Sequence, residues 1–225
     1  MRRLLVRSLI VLSALVVLVA AGFVLGLRLG YLGPPAIPLQ VVNAAVQRDG
    51  PALRRALALP SARGYQQLLS QSNGSLCGPA SLVNVERSLG HAVANEQALL
   101  SGSGMCRFEV CLPGLTLDEL AALARTQTQR DVSVLRDLTP QQFREHLLQS
   151  NDAAQRYVIN FSREPIFGQG GGHHSPIGGY LQDEDMVLVL DVNGRYGPWL
   201  VPADKLYAAM DTLDGDRKRG MLRIR

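Results

Sequence analysis

The sequence has 225 residues, enough for one domain with a sizeable core and an N-terminal helical appendage. Its net charge of +4 is confined to the start: once Arg2, Arg3, Arg7 and Arg28 are set aside, 19 basic side chains balance 19 acidic ones. A charge-balanced domain carries no electrostatic footprint for nucleic acid, which argues against that partner. Three cysteines are too few for a disulfide framework.

From Ser8 to Leu27 twenty consecutive residues carry no charge. At about 1.5 Å rise per residue, that run just spans a bilayer core of about 30 Å. Arg2, Arg3 and Arg7 precede it, which predicts a cytoplasmic N-terminus, inner-membrane association and a domain on the periplasmic side. The competing reading is a signal peptide cleaved at Val19-Ala20-Ala21. The apolar run continues through Gly22-Phe23-Val24-Leu25, which favours the uncleaved anchor. Either way the domain meets an oxidising space. There Cys106 and Cys111 are close enough in sequence to close a small loop, leaving Cys77 as the free thiol; three reduced cysteines are the alternative.

Residues 1–30 are thus read as anchor or signal peptide, 31–59 as linker and helical segment, and 60–225 as the catalytic domain. Gly33-Pro34-Pro35-Ala36-Ile37-Pro38 is a semi-rigid spacer, and residues 39–59 read as short helices broken at Asp49-Gly50-Pro51. Thr116 with Glu119 forms a capping box ahead of a Leu117, Leu120, Leu123 stripe. Thr139-Pro140-Gln141-Gln142 caps a helix through Phe143 and Leu147. The period then changes. Residues 156–161, 174–181 and 186–191 read as strands, the last two as an antiparallel hairpin about a polar turn. A helix from Pro202 to Met210 and a strand from Gly220 to Ile224 close the chain. Helices first and an antiparallel sheet second is an α+β layout.

Cys77 follows the polar loop Gln71-Ser72-Asn73-Gly74-Ser75 and opens a helix with Pro79 in its first turn. The positive end of the helix dipole stabilises thiolate there. The backbone N–H at that position is unpaired within the helix and can donate to an oxyanion, with the Gln71 amide as a second donor. A lone cysteine is commonly a small packed hydrophobe; this context favours the nucleophile. Of four histidines, His91 and His146 read as surface residues. His173 and His174 open a strand, where neighbours point to opposite faces. One is therefore expected at the active site while the other packs or meets solvent. Asp191 ends the next strand, either as a turn former or as the third member of a triad.

These residues resemble a known family. Gly172-His173-His174-Ser175-Pro176-Ile177-Gly178-Gly179-Tyr180 is similar to the Gly-His-x-Ser-Pro-Ile-Gly-Gly-Tyr signature of phytochelatin synthases. Asp185–Val192, Trp199–Pro202, Ala208–Asp211, Lys218-Arg219-Gly220 and Cys77–Leu82 also match, so that the resemblance covers roughly residues 60–225. It implies a papain-like fold, with the cysteine on a helical lobe and His/Asp on a sheet lobe. It implies Cys77 as nucleophile, His173 as base, Asp191 as its orienter and Gln71 as oxyanion donor. Arg219, Arg163, Ser175 and Tyr180 are the implied substrate-binding residues.

The implied activity is that of a glutathione γ-glutamylcysteinyltransferase. Cys77 would attack the cysteinyl–glycine bond of glutathione, release glycine, and pass the acyl group to water or to a second glutathione. The cysteine-rich C-terminal extension of plant-type members, where metal sensing is placed, is absent, which suggests a short bacterial-type form. The family's Arg-aromatic-Lys-Tyr-Pro-Pro-x-Trp stretch is shortened to Arg195-Tyr196-Gly197-Pro198-Trp199 without its lysine, which favours hydrolysis over transpeptidation. No tightly bound cofactor or protein metal site is expected; cadmium or zinc would enter as a glutathione thiolate complex. A homodimer is among the assemblies the sequence allows. Two other classes compete: a papain-like peptidase acting on another peptide, and a non-catalytic thiol or metal-binding module. The ligands of the latter lack compact metal spacing.

Overall fold

A computed structural model describes residues 2–28, 36–106, 111 and 114–225. Helix α1 (Arg2–Arg28) contains, at Arg7–Gly26, the one stretch among the described residues long and apolar enough to cross a bilayer; a signal sequence meets the same test. The first part of the proline spacer lies outside the described residues. Short helices α2 (Leu39–Ala45), α3 (Gly50–Leu57) and α4 (Pro60–Arg63) follow. Then come α5 (Cys77–Ser88), α6 (Glu96–Leu100), α7 (Leu117–Thr128), strand β1 (Val132–Leu135) and α8 (Pro140–Gln149). The remainder alternates: β2 (Arg156–Ser162), α9 (Glu164–Phe167), β3 (Gly172–Leu181), β4 (Met186–Leu190), β5 (Pro198–Pro202) and α10 (Ala203–Met210). A small hairpin, β6 (Leu213–Asp214) with β7 (Arg217–Lys218), leads into β8 (Gly220–Ile224).

The local signals act as expected. Both capping boxes form: Thr116 and Thr139 each accept from the residue three ahead, and the Glu119 and Gln142 side chains reach back to the cap N–H. Two otherwise orphaned donors are satisfied at each helix start. The α7 stripe Leu117, Leu120 and Leu123 is buried, as are Phe143 and Leu147 of α8. β3 begins at Gly172, two residues before the expected strand, and turns into β4 through a 3-10 segment at Gln182–Glu184.

The six long strands form one antiparallel sheet in the order β1-β8-β2-β3-β4-β5. Period-two alternation divides its faces. Tyr157, Ile159, Phe161, Val187, Val189, Trp199 and Met221 face a core closed by α2, α8, α9 and α10. Val158, Leu222 and Ile224 face α5, α6 and α7, while Leu188, Leu190 and Leu200 face α3 and α4. Residues 36–57, expected as linker and helical segment, pack into these cores through Ile37, Val42, Leu53 and Ala56. The expected α+β class is the one observed.

Helices α4, α6 and α9 and strands β1, β5, β6 and β7 had no counterpart in the sequence reading. β1 is a four-residue edge strand. β5 is the other edge and begins and ends in proline, which costs no ladder bond on an exposed side. The β6–β7 hairpin has two residues per strand. Gly220, at the entry to β8, lies so near the Leu135 carbonyl that a Cβ there would collide with backbone.

Thr116→Ala should cost about 1 kcal/mol through loss of its cap, lowering the melting temperature by about 2–4 °C in a chain of this size. Gly220→Ala should lower it considerably further. Circular dichroism melts check both, and a wild-type melting temperature for Gly220→Ala would contradict the close approach.

Candidate active site

Cys77 is the first residue of α5, with Pro79 in the first turn and the Ser81 hydroxyl donating back to the Cys77 carbonyl at 2.7 Å. Its N–H therefore lies outside the helical ladder. The preceding loop is tied down at both sides. Asn84 of α5 accepts from Leu69 N–H at 2.7 Å and donates to its carbonyl at 2.9 Å. The buried Glu96 carboxylate accepts from Ser72 N–H at 2.8 Å, and Gln71 N–H donates to Val192 O at 2.8 Å. That last bond joins the cysteine loop to the segment just past β4 that carries Asp191. The Gln71 side chain donates to Asn73 O at 2.7 Å, and its buried Oε1 has no partner among the described residues.

Cys77 is 7% exposed, and its Sγ lies 3.8 Å from Nδ1 of His174. Nε2 of His173 lies 2.8 Å from Asp191 Oδ1, both groups buried. Asp191 also accepts from Asn193 N–H at 2.8 Å and from Trp199 Nε1–H at 3.1 Å. Phe161 meets the His173 ring edge-on, at 5.6 Å between centroids. Nδ1 of His173 lies 2.7 Å from an Arg163 guanidinium nitrogen. Guanidinium only donates, so Nδ1 accepts and the ring proton sits on Nε2, towards Asp191.

The charges follow from these contacts. Burial pushes the Cys77 thiol up, but hydrogen bonding and charge from His173 and His174 outweigh it and hold its pKa well below 9.0. Burial and Arg163 pull His173 down, yet Asp191 and Cys77 together lift it above 6.5. Burial raises Asp191, and the opposing charge and hydrogen bond of His173 bring it below the usual carboxylate range. A lowered thiol beside a raised imidazole is the condition for a thiolate–imidazolium pair.

A cleft of about 180 Å³ opens at the thiol, lined among others by Gly74, Cys77, Asn160, His174, Asp214 and Arg219. Arg219 donates to Asn160 Oδ1 at 2.8 Å and pairs with Asp214 at 3.1 Å, while Asn160 donates to Asp214 at 2.9 Å. Gly172 allows this: a Cβ there would run into the Arg219 guanidinium. A larger surface groove of about 640 Å³, lined by Asn43–Asp49, Met186, Leu200 and Pro202, contains neither cysteine nor histidine. Cys77 and His174 lie at the smaller cleft.

Of the expected site residues, Cys77 and Arg219 line the cleft, His173 reaches Cys77, and Asp191 and Arg163 stand behind it on the two nitrogens of His173. Tyr180 does not line it: the phenol donates to Asp185, and its N–H is held by Asn151. Ser175 is fully buried, with no hydroxyl partner among the described residues. His91 pairs with Glu86 at the surface, and His146 contacts Tyr157. The expected division of the histidine pair is corrected. Both rings are buried and both act on Cys77. Alternation does place them on different faces, His173 opposite Phe161 and His174 opposite Asn160. Yet these are only the second and third residues of β3, so the sheet ends before it can separate them. Asn160, Asp214 and Trp199 went unrecognised as site residues; an asparagine inside the apolar run Tyr157–Phe161 was the available signal.

Cys106 and Cys111 form a disulfide, and Cys77 is the free cysteine. Cys111 N–H donates to the Ser75 hydroxyl at 3.1 Å, bringing the bridge against the cysteine loop. No cluster of three or more His, Cys, Asp or Glu suited to a metal occurs among the described residues.

Comparison with known proteins agrees with this arrangement. The chain is 29% identical over 217 residues to glutathione gamma-glutamylcysteinyltransferase 2 of Arabidopsis thaliana, covering 86% of this chain and 45% of that protein. It is 34% identical over 110 residues to glutathione gamma-glutamylcysteinyltransferase 3 of Lotus japonicus, covering 47% and 23%. The chain thus spans less than half the length of these curated relatives. A C39-like peptidase from Bacillus anthracis superposes with a TM-score of 0.52 at 16% identity, over 72% of this chain and 95% of that one. The likeness establishes a papain-like α+β architecture, with the cysteine helix packed on the sheet that carries His and Asp. The phytochelatin synthase family profile matches residues 35–221, and the chain belongs to that family.

Proposed function

We propose that this chain is a thiol enzyme acting on glutathione, a glutathione γ-glutamylcysteinyltransferase that also hydrolyses its acyl-enzyme. The observation that carries the reading is the buried Cys77 thiol at the start of α5, beside the His173–Asp191 pair and a cleft with an arginine wall.

In the resting arrangement Arg163 covers the His173 lone pair. The leaving glycine brings a carboxylate next to the amine that must be protonated. Pairing with that carboxylate draws the Arg163 guanidinium off Nδ1, as bidentate geometry favours, and frees the base when substrate is present. The Cys77 proton then passes to His173 Nδ1 and the sulfur attacks the cysteinyl carbonyl. The Cys77 N–H steadies the oxyanion, with Gln71 as second donor once its amide leaves Asn73. Removal of one such donor typically costs about 100–1000-fold in rate. The C–N bond breaks, His173 returns the proton to the glycine nitrogen, and a γ-glutamylcysteinyl thioester remains on Cys77. Arg219, braced by Asn160 and Asp214, takes the α-carboxylate of the γ-glutamyl group.

Water as acceptor gives γ-glutamylcysteine, and a second glutathione gives phytochelatin. The shortened Arg195–Trp199 loop supports hydrolysis as the main outcome. Cadmium or zinc enters as a thiolate complex of the substrate. Helix α1 and the Cys106–Cys111 bridge support a membrane-associated domain on the extracytoplasmic side.

The full chain in detergent, mildly reduced and given glutathione with and without cadmium, should release glycine with γ-glutamylcysteine as the dominant partner product by mass. Cys77→Ala should release none. Cleavage of an unrelated peptide without glycine release from glutathione would replace this reading with a peptidase.

The pH dependence of kcat/KM should plateau between the lowered thiol pKa and the raised His173 pKa. Activity rises as the Cys77–His173 dyad loses its first proton and falls as it loses its second. Asp191→Asn removes the charge that lifts His173, so the alkaline limb should move to lower pH and the plateau rate should drop by about 10²–10⁴-fold. An unmoved alkaline limb would dissociate Asp191 from the titrating imidazole.

A further inference from the structure

His173 is held at both nitrogens, by Arg163 on Nδ1 and by Asp191 on Nε2. The second imidazole at the thiol is placed quite differently. His174 is 3% exposed and lines the Cys77 cleft. Its Nδ1 faces Sγ at 3.8 Å, and its buried Nε2 has no partner among the described residues. A buried imidazole kept for structure is normally fixed by a hydrogen bond, as His173 is. His174 has no anchor of that kind apart from the sulfur itself: it stands over Gly78, where any Cβ would meet the ring and the Leu120 side chain, with Nδ1 towards Sγ and Nε2 unpartnered among the described residues.

We infer that His174 is a second catalytic base, serving deacylation. This rests on the thioester mechanism proposed above. When glycine departs, its carboxylate leaves with it and the Arg163 guanidinium returns to His173 Nδ1, closing the first base. The thioester carbonyl is bonded to Sγ and so stands within reach of His174 Nδ1. A water beside the carbonyl gives its proton to that nitrogen as its oxygen bonds to the carbon. The tetrahedral intermediate collapses, the C–S bond breaks, and Cys77 leaves as thiolate beside a newly formed His174 imidazolium. The thiolate then takes the proton back from His174, which returns Cys77 to its resting thiol and His174 to neutral, and no oxidant or further reactant is required. Acylation and hydrolysis then use different imidazoles, so the fate of the acyl group can be set separately from its formation.

The test uses the full chain in detergent with His174→Phe and His174→Gln, beside His173→Asn. In single turnover with glutathione, both His174 variants should release glycine close to one equivalent per enzyme and then stall. Intact mass should show Cys77 carrying γ-glutamylcysteine, and steady-state hydrolysis should fall by about 10²–10⁴-fold. Added glutathione at high concentration should recover turnover as transfer product, since its thiolate or amine supplies a nucleophile that water lacks. His173→Asn should instead block the first glycine release. Wild-type hydrolysis by a His174 variant with no accumulated thioester would overturn the inference. So would loss of the first glycine release in folded His174 variants, which would make His174 part of acylation. If wild-type protein releases no glycine at all, an activated acyl ester can load Cys77 directly. Slower loss of that acyl group in His174→Phe than in wild type would still uphold His174 as the base, and equal loss would reject it.

Discussion

The buried Asp191 carboxylate is the constraint on which the site depends. A charge removed from water must be met by hydrogen bonds or an opposite charge, or it will neutralise. Asp191 is met on both oxygens: by His173 from the start of β3, by Trp199 from β5, and by the Asn193 backbone just past β4. Three strands are therefore pinned at one end of the sheet by a single carboxylate. The rotation of the His173 ring, and with it the aim of Nδ1, is a consequence of that pinning. Phe161 and Phe167 flank Trp199 edge-on, at 6.1 and 6.0 Å, so the indole is itself wedged.

The opposite wall is built by other means. α5 is buried along most of its length, which leaves few orientations for its first turn. The loop before it is clamped by Asn84, Glu96 and the Gln71–Val192 backbone bond. Cysteine and carboxylate, which come from different halves of the chain, thus share one hydrogen-bonded frame. Electrostatic preorganisation of this kind needs little rearrangement when charge develops; in the proposed cycle only the guanidinium over His173 and the Gln71 amide change partners.

Much of this was legible in the sequence, because the decisive signals were local. Capping boxes at Thr116 and Thr139 and the proline after Cys77 specify helix starts within a few residues. The alternation in Tyr157–Phe161 and Met186–Leu190 specifies buried strands, and the order of motifs around His173 and Cys77 specified the family. What escaped was the part decided by tertiary placement. Edge strands of four residues (β1) or of five bounded by prolines (β5) are too short to establish a period. The Asn160–Asp214–Arg219 triangle joins residues more than fifty positions apart. The histidine pair was misjudged because alternation describes the middle of a strand, and these two residues stand at its beginning. Tyr180 belongs to the conserved-looking run around His173, yet its position seven residues along β3 carries it to the far turn, against Asp185 and Arg144.

The position of β8 has a consequence for how the molecule is made. Residues 220–224 form an interior strand, hydrogen-bonded to β1 on one side and β2 on the other. No earlier segment can bridge those two neighbours, so the sheet stays in two pieces until this stretch has emerged from the ribosome. Long-range pairing of this sort is paid for in loop-closure entropy before it is rewarded. Closure of the cleft around Arg219, the residue immediately before β8, therefore waits on that strand.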